Sequence, residues 1–479
     1  MFVDVSTLKG NSRNTLTDDQ VTICYSDIPQ VYENIRRVLS IESVDRDKCV
    51  ALECENSVPT AVLLLFLLDN GYNVFLYPKT RRDVSLRGGE EALPSFCSYM
   101  VSTAALGADQ NLASDIFFHV TTIQRDSNAK MEAGRIYLRT SGSTGVPKTV
   151  AHSHKKLEKN ALNCVERLGL REEDRVTIAV PIFHMYGLGA GFQPSVAAGA
   201  SVDLQNNSNI LKFLHREAQF QPSVAFLTPT FCESVNRFRR TNRQYRLTVV
   251  AGDRLRREAY WDHEGKSGTL IQLYGSTEMG ALAAGSPRDV SEVRSRTVGT
   301  PMSGAFIQIR QSGDIPENAD NGETGELWCR YKYGFDGYAD EYGVLTNEFT
   351  AAESQWWNTI DVAQVDSAGN LEILGRADQC VNRDGRLVSF SFVERALEAE
   401  GAIDRAVVVS RGDGKRGKEL AVFCVGKHDT HLTAEVVKCI AQRVLPKYAV
   451  PEIVVVCASL PLLDNGKVDR VALALKDCT

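Results

Sequence analysis

The densest group of residues able to do chemistry lies between Arg135 and His152. A strand-like run, Ile136–Leu138, leads into Thr140-Ser-Gly-Ser-Thr-Gly145, and Lys148 follows. Glycines let a backbone approach a ligand closely and present its N–H groups as an anion nest. The hydroxyl groups add donors and Lys148 adds a positive charge. The stretch therefore predicts a polyphosphate-binding loop between two strands.

This loop has two other possible interpretations. A plain Ser/Gly hairpin turn does not need hydroxyls, glycines and a lysine together. A Walker loop requires a glycine directly before the lysine. Here Pro147 holds that position and has no N–H to donate. The sequence thus favours a different kind of phosphate-binding loop.

Further groups that could complete such a site follow downstream. In Gln272–Gly280 an apolar strand ends in an aromatic ring, a glycine, a hydroxyl and a carboxylate. These groups could stack on a base, approach a phosphate and give Mg²⁺ an oxygen ligand. Taken alone, the motif could equally be a strand end with a surface glutamate. Three more motifs are Thr359-Ile-Asp361, Gly375-Arg-Ala-Asp378 and Leu460–Arg470.

In this order the motifs resemble those of the adenylate-forming superfamily. That superfamily contains acyl-CoA and aryl-CoA synthetases, adenylation domains of nonribosomal peptide synthetases and firefly luciferase, and the motif pattern is most similar to the acyl- or aryl-CoA ligases. The resemblance covers essentially the whole chain. It implies that ATP phosphates contact Thr140, Ser141, Gly142, Ser143, Thr144, Gly145 and Lys148.

The resemblance also implies roles for the downstream motifs. Tyr274 would stack on adenine, Thr277 would touch the α-phosphate and Glu278 would ligate Mg²⁺. Asp361 would bind the ribose hydroxyls, although Ile360 stands where the family usually has glycine. Arg376 would contact the ribose or the phosphates.

The C-terminal motifs concern the second half of the reaction. Asp378 would be the pivot of a hinge, and Gly385 would help to form a thiol channel. Lys467 would bridge the substrate carboxylate and the α-phosphate. The Lys467 motif lacks the Thr-x-Ser that often precedes its glycine, and a lone C-terminal lysine is usually a solvated charge.

The substrate class depends on Pro181–Leu188. Amino-acid-activating members place an aspartate near here, whereas this chain has His184, which resembles acyl- and aryl-CoA ligases. A packed core histidine is the alternative. We expect His184 to act in catalysis with Thr277 and Lys467 and to line the acid pocket. The resemblance places Gly252 and Gly275 in that pocket as well.

Two other histidines, His152 and His154, are expected on one face of a strand-like segment. A shared face could bring two metal ligands together, but no third ligand is visible nearby in the sequence. We therefore do not expect a metal at this pair.

The elements that must position these groups follow an α/β pattern. Apolar β-branched runs predict strands, and longer segments between them predict helices, as in α/β layers built on a parallel sheet. The strand runs are Val50–Cys54, Val74–Tyr77, Val176–Val180, Val224–Leu227 and Leu247–Val250; the helical segments are Val58–Leu68, Lys155–Arg167 and Ile210–Ala218.

The pattern changes after about Thr297. Short alternating runs such as 305–310 and 325–330 predict a small antiparallel sheet. The last hundred or so residues alternate helix and strand signals, which is enough for an α+β domain. We therefore predict an N-terminal adenylation body over 1–374, a hinge at 375–378 and a mobile C-terminal domain over 379–479.

Composition narrows the function classes. The 479 residues carry 54 Lys plus Arg and 60 Asp plus Glu, a formal net charge of −6, with a mean hydropathy of −0.19. Nucleic acid is therefore an unexpected partner. The longest apolar run, Val58–Leu68, is shorter than the ~20 residues of a membrane span. Twelve scattered cysteines without a Cys-x-x-C pair, and no signal-like N-terminus, predict a cytoplasmic location.

The sequence thus predicts ATP-dependent activation of a carboxylic acid without an α-amino group, aryl or aliphatic, to an acyl-adenylate, with release of pyrophosphate. The acyl group would then pass to a thiol, in the first place that of CoA and otherwise the phosphopantetheine of a carrier protein, and Mg²⁺ would assist. Alternatives are a standalone ligase that loads an acyl carrier protein, an amino-acid-activating enzyme and an inactive nucleotide-binding homologue.

Overall fold

The computed structural model describes residues 13–79, 93–104, 111–123, 131–140, 147–206, 209–311, 322–346, 348–349, 355–383, 386–414, 417–427, 430–462 and 468–476. The chain divides into two compact units. The first unit consists of Met1–Phe306 and Arg330–Gln355, and the second of Ile307–Cys329 and Trp356–Thr479.

The helices within the described residues follow in chain order. They are α1 (Ile28–Ile41), α2 (Val58–Asp69), α3 (His154–Leu168), α4 (Gln193–Ala197), α5 (Ile210–Phe220), α6 (Pro229–Phe238), α7 (Arg257–Ser267), α8 (Ser291–Arg296), α9 (Phe390–Glu398), α10 (Ala434–Val444) and α11 (Arg470–Leu475). A π-helical segment, Tyr186–Phe192, precedes α4, and short 3₁₀ turns lie at Tyr25–Asp27, Ala377–Gln379 and Lys447–Ala449.

The strands are numbered in the same way. The first fifteen are β1 (Thr15–Thr17), β2 (Thr22–Cys24), β3 (Cys49–Cys54), β4 (Asn73–Pro78), β5 (Cys97–Thr103), β6 (Phe118–Thr122), β7 (Arg135–Arg139), β8 (Thr149–Ser153), β9 (Arg175–Ile178), β10 (Ser201–Leu204), β11 (Val224–Leu227), β12 (Tyr245–Val250), β13 (Gly268–Ser276), β14 (Gly280–Ala284) and β15 (Thr300–Pro301). The others are β16 (Ala305–Arg310), β17 (Gly325–Tyr331), β18 (Gly337–Ala339), β19 (Leu345–Thr346), β20 (Trp357–Val365), β21 (Leu371–Arg376), β22 (Cys380–Arg383), β23 (Arg386–Ser389), β24 (Ile403–Gly414), β25 (Gly417–Gly426) and β26 (Ile453–Val456).

A nine-stranded sheet of described residues in the first unit has the order β15-β14-β13-β12-β11-β9-β10-β1-β2. Its centre, from β13 to β10, is parallel. These strands are short apolar runs because both faces of a parallel sheet are covered. Their carboxyl ends share one edge, where α/β proteins bind ligands. The segments after β9, β12 and β13 carry His184, Gly252 and Glu278.

A second sheet of the first unit has the order β19-β18-β8-β7-β4-β3-β5-β6 within the described residues. Helix α2 belongs to this half of the unit and is buried from Val58 to Leu68, as expected for a helix that is apolar all round. Its N-cap Ser57 accepts a hydrogen bond from the Thr60 N–H, and Pro59 lies in its first turn. The predicted buried helix at Val58–Leu68 is confirmed.

The second unit contains two smaller sheets. The described strands β16, β17, β20 and β21 form a four-stranded sheet in that order. The other sheet has the order β23-β22-β25-β24, with β26 parallel to β25. Helices α9 and α10 pack apolar side chains on its core, which includes Val393, Val422 and Val437.

The fold class predicted from the sequence, layered α/β with a small C-terminal α+β part, is confirmed. The prediction of His152 and His154 on one strand face is wrong. Strand β8 ends at Ser153, and His154 is the first residue of α3. The alternation signal failed there because a helix begins within the run.

Candidate active site

The predicted phosphate loop connects strands β7 and β8, and the residues at its two ends, Thr140 and Lys148, are hydrogen-bonded to each other. The Thr140 N–H donates to the Lys148 carbonyl at 2.9 Å, and the Lys148 N–H donates to Thr140 Oγ1 at 3.0 Å. The antiparallel pairing of β7 with β8 begins at the next pair of residues, with Arg139 opposite Thr149. Two hydrogen bonds thus fix the ends of the loop. The predicted ligands Ser141, Gly142, Ser143, Thr144 and Gly145 lie outside the described residues.

Tyr338 connects this loop to Glu278. Its strand, β18, pairs with β8 so that Tyr338 lies opposite Val150, two residues after Lys148. The ammonium nitrogen of the exposed Lys148 lies 4.9 Å from the centroid of the Tyr338 ring. The Tyr338 hydroxyl donates to Glu278 Oε1 at 2.9 Å. Burial and the neighbouring Glu278 charge raise the pKa of Tyr338 well above its usual value, so the hydroxyl remains a donor.

The turn after β13 is held through three consecutive carbonyls. The Thr277 carbonyl lies 2.7 Å from His152 Nε2, the Glu278 carbonyl accepts from the Phe335 N–H at 2.7 Å, and the Met279 carbonyl accepts from Asn160 Nδ2 at 3.4 Å. The donors belong to three separate segments of the first unit. Preorganisation of this kind holds a functional group in one position.

His152 makes its contribution in the neutral form. Its partner is a carbonyl oxygen, so Nε2 must carry the proton and donate. The imidazole is buried, and burial lowers the pKa of His152 below its ordinary value. A neutral donor holds the Thr277 carbonyl without adding a charge beside Glu278.

Two glycines of this region lie where a Cβ atom would be too close to neighbouring atoms. A Cβ on Gly275 would lie 2.1 Å from the Gly280 carbonyl oxygen, across the β13–β14 pairing. Gly280 has φ of +64°, and a Cβ there would lie 2.3 Å from Asn160 Nδ2. Strand pairing therefore explains Gly275 without a ligand. Its role in the acid pocket stays a prediction.

The predicted acid-pocket residues lie at the carboxyl edge of the parallel strands. The backbone N–H of His184 donates to the Pro181 carbonyl at 3.2 Å. The centroid of the His184 imidazole lies 4.5 Å from the centroid of the Phe183 ring. Gly252, with φ of +100°, follows β12 at the same edge. Tyr274 ends the apolar part of β13 and is half-buried. The topology thus gathers His184, Gly252 and Tyr274 on one edge of the sheet.

The second unit brings together Asp361, Arg376 and Asp378. Strands β20 and β21 place Asp361 directly opposite Arg376, with Asp361 Oδ1 3.9 Å from Arg376 Nη1. Arg376 donates from Nε and Nη2 to the two carboxylate oxygens of Asp378, each at 2.8 Å. The predicted ribose residues are therefore neighbours, and the predicted pivot Asp378 is bonded to Arg376.

Asp361 is presented on a bulge of β20. In the pairing of β17 with β20, Glu326 lies opposite Val362 and Trp328 lies opposite Asn358. Between these two pairs β17 has one residue and β20 has three, so β20 holds two extra residues. Bulges re-aim side chains. Ile360, where the family usually has glycine, has φ of +62°. Its N–H is bound by Asn358 Oδ1 at 2.7 Å, and the Asp361 N–H is bound by Thr359 Oγ1 at 3.2 Å.

The first unit contains groups suited to Mg²⁺ and phosphate. Mg²⁺ is commonly held by one or two carboxylates and completed by substrate phosphates and water. Glu278 is half-buried; within the described ranges, Tyr338 binds its Oε1 and nothing binds its Oε2. Among the described residues, no group of three or more His, Cys, Asp or Glu residues could hold a metal unaided. A site completed by phosphate oxygens fits these residues.

Sequence reasoning missed Tyr338, Asn160 and the structural role of His152. Strand β18 has three residues, too few for an alternation signal. The hydrogen bond from His152 to Thr277 joins residues 125 positions apart, and local pattern cannot show such contacts. Lys467 and Gly385 lie outside the described residues, so their roles remain predictions.

Comparison with known proteins identifies the family. The AMP-binding enzyme family matches residues 99–339, half of the chain, and the AMP-binding enzyme C-terminal domain matches residues 393–467. A salicylyl-CoA synthase / salicylate adenylyltransferase from a Streptomyces species is 27% identical over 398 residues, covering 80% of this chain and 71% of that protein. An oxalate–CoA ligase from Arabidopsis thaliana is 25% identical over 358 residues, covering 71% and 67%.

A solved structure shows the same fold. ATP-bound MatB from Rhodopseudomonas palustris matches with a TM-score of 0.82 at 19% identity, covering 99% of this chain and 97% of that chain. None of the helices in the described ranges is long and apolar enough to cross a membrane. The chain belongs to the AMP-binding enzyme family of the adenylate-forming superfamily and is an AMP-forming acid–thiol ligase.

Proposed function

We propose that this enzyme activates a carboxylic acid without an α-amino group, aryl or aliphatic, and transfers the acyl group to CoA. The reaction joins the acid carboxylate to the α-phosphorus of ATP and releases pyrophosphate. A thiol then displaces AMP from the acyl-adenylate. The observation that carries the proposal is the Thr277–Glu278 turn, held rigidly and linked through Tyr338 to Lys148 of the phosphate loop.

The chemistry requires charge neutralisation and alignment. A carboxylate and the ATP phosphates repel each other, so reaction needs cations and fixed donors around the α-phosphorus. We assign Lys148 and the loop amides to the phosphates and Thr277 to the α-phosphate. Lys467 bridges the two reacting groups. Mg²⁺, when bound at Glu278, supplies further positive charge to the phosphate oxygens.

Nucleoside binding is assigned to three further residues. Tyr274 offers a ring for adenine, while Asp361 accepts hydrogen bonds from the ribose hydroxyls and Arg376 contacts the ribose or phosphates. The Asp361–Arg376 pairing supports a shared role for these two side chains. For the thiol step we keep Asp378 as the hinge pivot and Gly385 as part of the thiol channel.

The acid pocket supports an acid that lacks an ammonium group. His184 stands where amino-acid-activating members have an aspartate to pair with the α-ammonium. Two curated relatives are described as acting with CoA, one on salicylate and one on oxalate, and neither acid carries an amino group. An acyl carrier protein is the alternative acceptor, because its phosphopantetheine presents the same thiol end as CoA.

The test is pyrophosphate release with a panel of acids. Benzoate-type and aliphatic acids should release pyrophosphate, whereas α-amino acids should not. Release only with α-amino acids would contradict the substrate assignment. Product mass after addition of CoA or of a carrier protein then decides the acceptor.

A matched pair of lysine variants tests the catalytic assignment. Lys467→Ala should abolish acid-dependent ATP–pyrophosphate exchange and leave ATP binding measurable. Lys427→Ala is the control, because Lys427 is exposed and belongs to the same C-terminal part of the chain. Unchanged exchange in Lys467→Ala would show that this lysine is not the catalytic one.

A further inference from the structure

Tyr338 contacts two oppositely charged groups of the candidate site at once. Its ring lies beneath the Lys148 ammonium at 4.9 Å, and its hydroxyl donates to Glu278 Oε1 at 2.9 Å. We propose that Tyr338 is a positioning residue that keeps Lys148 and Glu278 apart, so that Lys148 is available to phosphate and Glu278 to a divalent cation. The inference rests on the proposed function, which assigns those ligands.

The electrostatic reason is that two opposite charges in one open site tend to pair. A direct ion pair would cancel both charges that Mg²⁺–ATP requires. In the structure Lys148 and Glu278 form no ion pair with each other. A tyrosine suits the space between them because its ring face attracts a cation and its hydroxyl donates to an anion.

Tyr338 is itself fixed on several sides. Strand β18 lies between β8 and β19, with Tyr338 opposite Val150 and Thr346. Its ring meets the Phe335 ring edge-on at 5.3 Å. The Phe335 N–H in turn holds the Glu278 carbonyl. The short segment from Phe335 to Tyr338 therefore holds both the backbone and the side chain of Glu278.

Two substitutions separate the two contacts. Tyr338→Phe keeps the ring beneath Lys148 and removes the hydroxyl from Glu278. Tyr338→Leu removes both contacts. The control is Tyr331→Phe: Tyr331 is fully buried in the same unit, and its hydroxyl accepts from Asn163 Nδ2 at 2.9 Å. Tyr331→Phe removes a buried tyrosine hydroxyl that contacts neither Lys148 nor Glu278.

The measurement is ATP affinity by titration calorimetry, with EDTA and with Mg²⁺, on the full chain and without acid substrate. Mn²⁺ binding to the enzyme–ATP complex, followed by electron paramagnetic resonance, gives a second readout. For Tyr338→Phe we expect unchanged affinity in EDTA and about a tenfold loss of the gain given by Mg²⁺, the scale of one hydrogen bond to a charged group. Tyr338→Leu should also weaken binding in EDTA about threefold.

The outcomes separate positioning from mere packing. The proposal would be overturned if Tyr338→Phe lost ATP affinity equally in EDTA and in Mg²⁺, or if Mg²⁺ raised the ATP affinity of this variant as much as that of the wild type. A loss as large in Tyr331→Phe would do the same. If Tyr338→Leu fails to fold, Tyr338→Phe alone decides. A wild-type enzyme that releases no pyrophosphate with any acid, or that gains no ATP affinity from Mg²⁺, would instead overturn the proposed function and this inference with it.

Discussion

The two regions that carry the predicted ATP-binding residues are held in different ways. In the first unit, the turn of Thr277, Glu278 and Met279 is bound through consecutive backbone carbonyls by separate segments. In the second unit, Arg376 forms ion pairs with both Asp361 and Asp378 through partly exposed side chains. Arg376 and Asp378 are each 32% exposed.

The difference concerns how easily each arrangement can change. Hydrogen bonds to buried or partly buried carbonyls, such as those of Met279 and Thr277, are costly to break because the acceptor is left without a partner. Ion pairs that reach solvent contribute about 0–1 kcal/mol and are screened by salt. The first region is therefore built to stay in place. The second can rearrange at little cost, as a hinge at 375–378 would require.

The largest expected effect comes from neutralising the carboxylate of the rigid region. Glu278→Gln keeps the shape of the side chain but removes the charge, and should lower the rate of acid-dependent pyrophosphate release about 10²–10³-fold. Asp361→Asn should cost about tenfold, mostly in the KM for ATP, since it weakens hydrogen bonds to a neutral ribose. Initial rates at varied ATP and Mg²⁺ give both numbers.

The control for these substitutions is Glu42→Gln, because Glu42 is exposed just after α1, away from the predicted site residues in sequence. Its rates should equal those of the wild type. If Asp361→Asn proved as harmful as Glu278→Gln, the contrast between the two regions would not hold for catalysis.

Acid should affect the two units differently. His263 is fully buried in the first unit, bonded to Asn236 Oδ1 at 2.8 Å and Thr248 Oγ1 at 2.9 Å. Burial, with Arg239 nearby, lowers the pKa of His263 to about 3, below the ordinary value of about 6.5. Between pH 3 and pH 6.5, His263 is therefore protonated in the unfolded chain and neutral in the folded chain. Stability is full above pH 6.5 and falls as the pH drops toward 3, by about 2–3 kcal/mol at pH 4.5.

Hydrogen exchange with mass spectrometry can locate this loss. Peptides of the first unit should lose protection between pH 7 and pH 4.5 more than peptides of the second, after correction for intrinsic rates. Burial also lowers the pKa of His154, in the first unit, to about 4, which adds to the effect. The His263→Gln variant should lose less protection than the wild type between pH 7 and pH 4.5, even if the variant is less stable at pH 7. An equal loss of protection in both units would contradict the prediction.

The sequence was sufficient for elements whose signal is local. Strand β11 has the predicted bounds, and helix α2 begins at Val58 as predicted and ends one residue later, because each is a continuous apolar run. The motif order was also sufficient for the family, which is confirmed. Contacts between distant segments were not predictable. The donors to the Thr277–Met279 turn come from α3, β8 and the segment before β18, which share no sequence pattern with the turn.

Backbone conformation was also beyond the sequence. The departure from glycine at Ile360 gave no sign that the residue adopts φ of +62°. β-Branched residues are rare in this region because the Cβ crowds the following carbonyl, at a cost of about 1–2 kcal/mol. Side chains of Asn358 and Thr359 bind the N–H groups of Ile360 and Asp361. The bulge that presents Asp361 is therefore kept by side-chain hydrogen bonds against an unfavourable residue.

The smallest expected effect tests this account of the second region. Ile360→Asn should be more stable than Ile360→Val by about 1 kcal/mol, because asparagine tolerates the left-handed conformation and valine does not. Ile360 is 41% exposed, so the asparagine and valine side chains of both variants still reach solvent. Urea midpoints on the full chain measure the difference. Equal stability would mean that the bulge relaxes around residue 360, and the second region would then be held by its ion pairs alone.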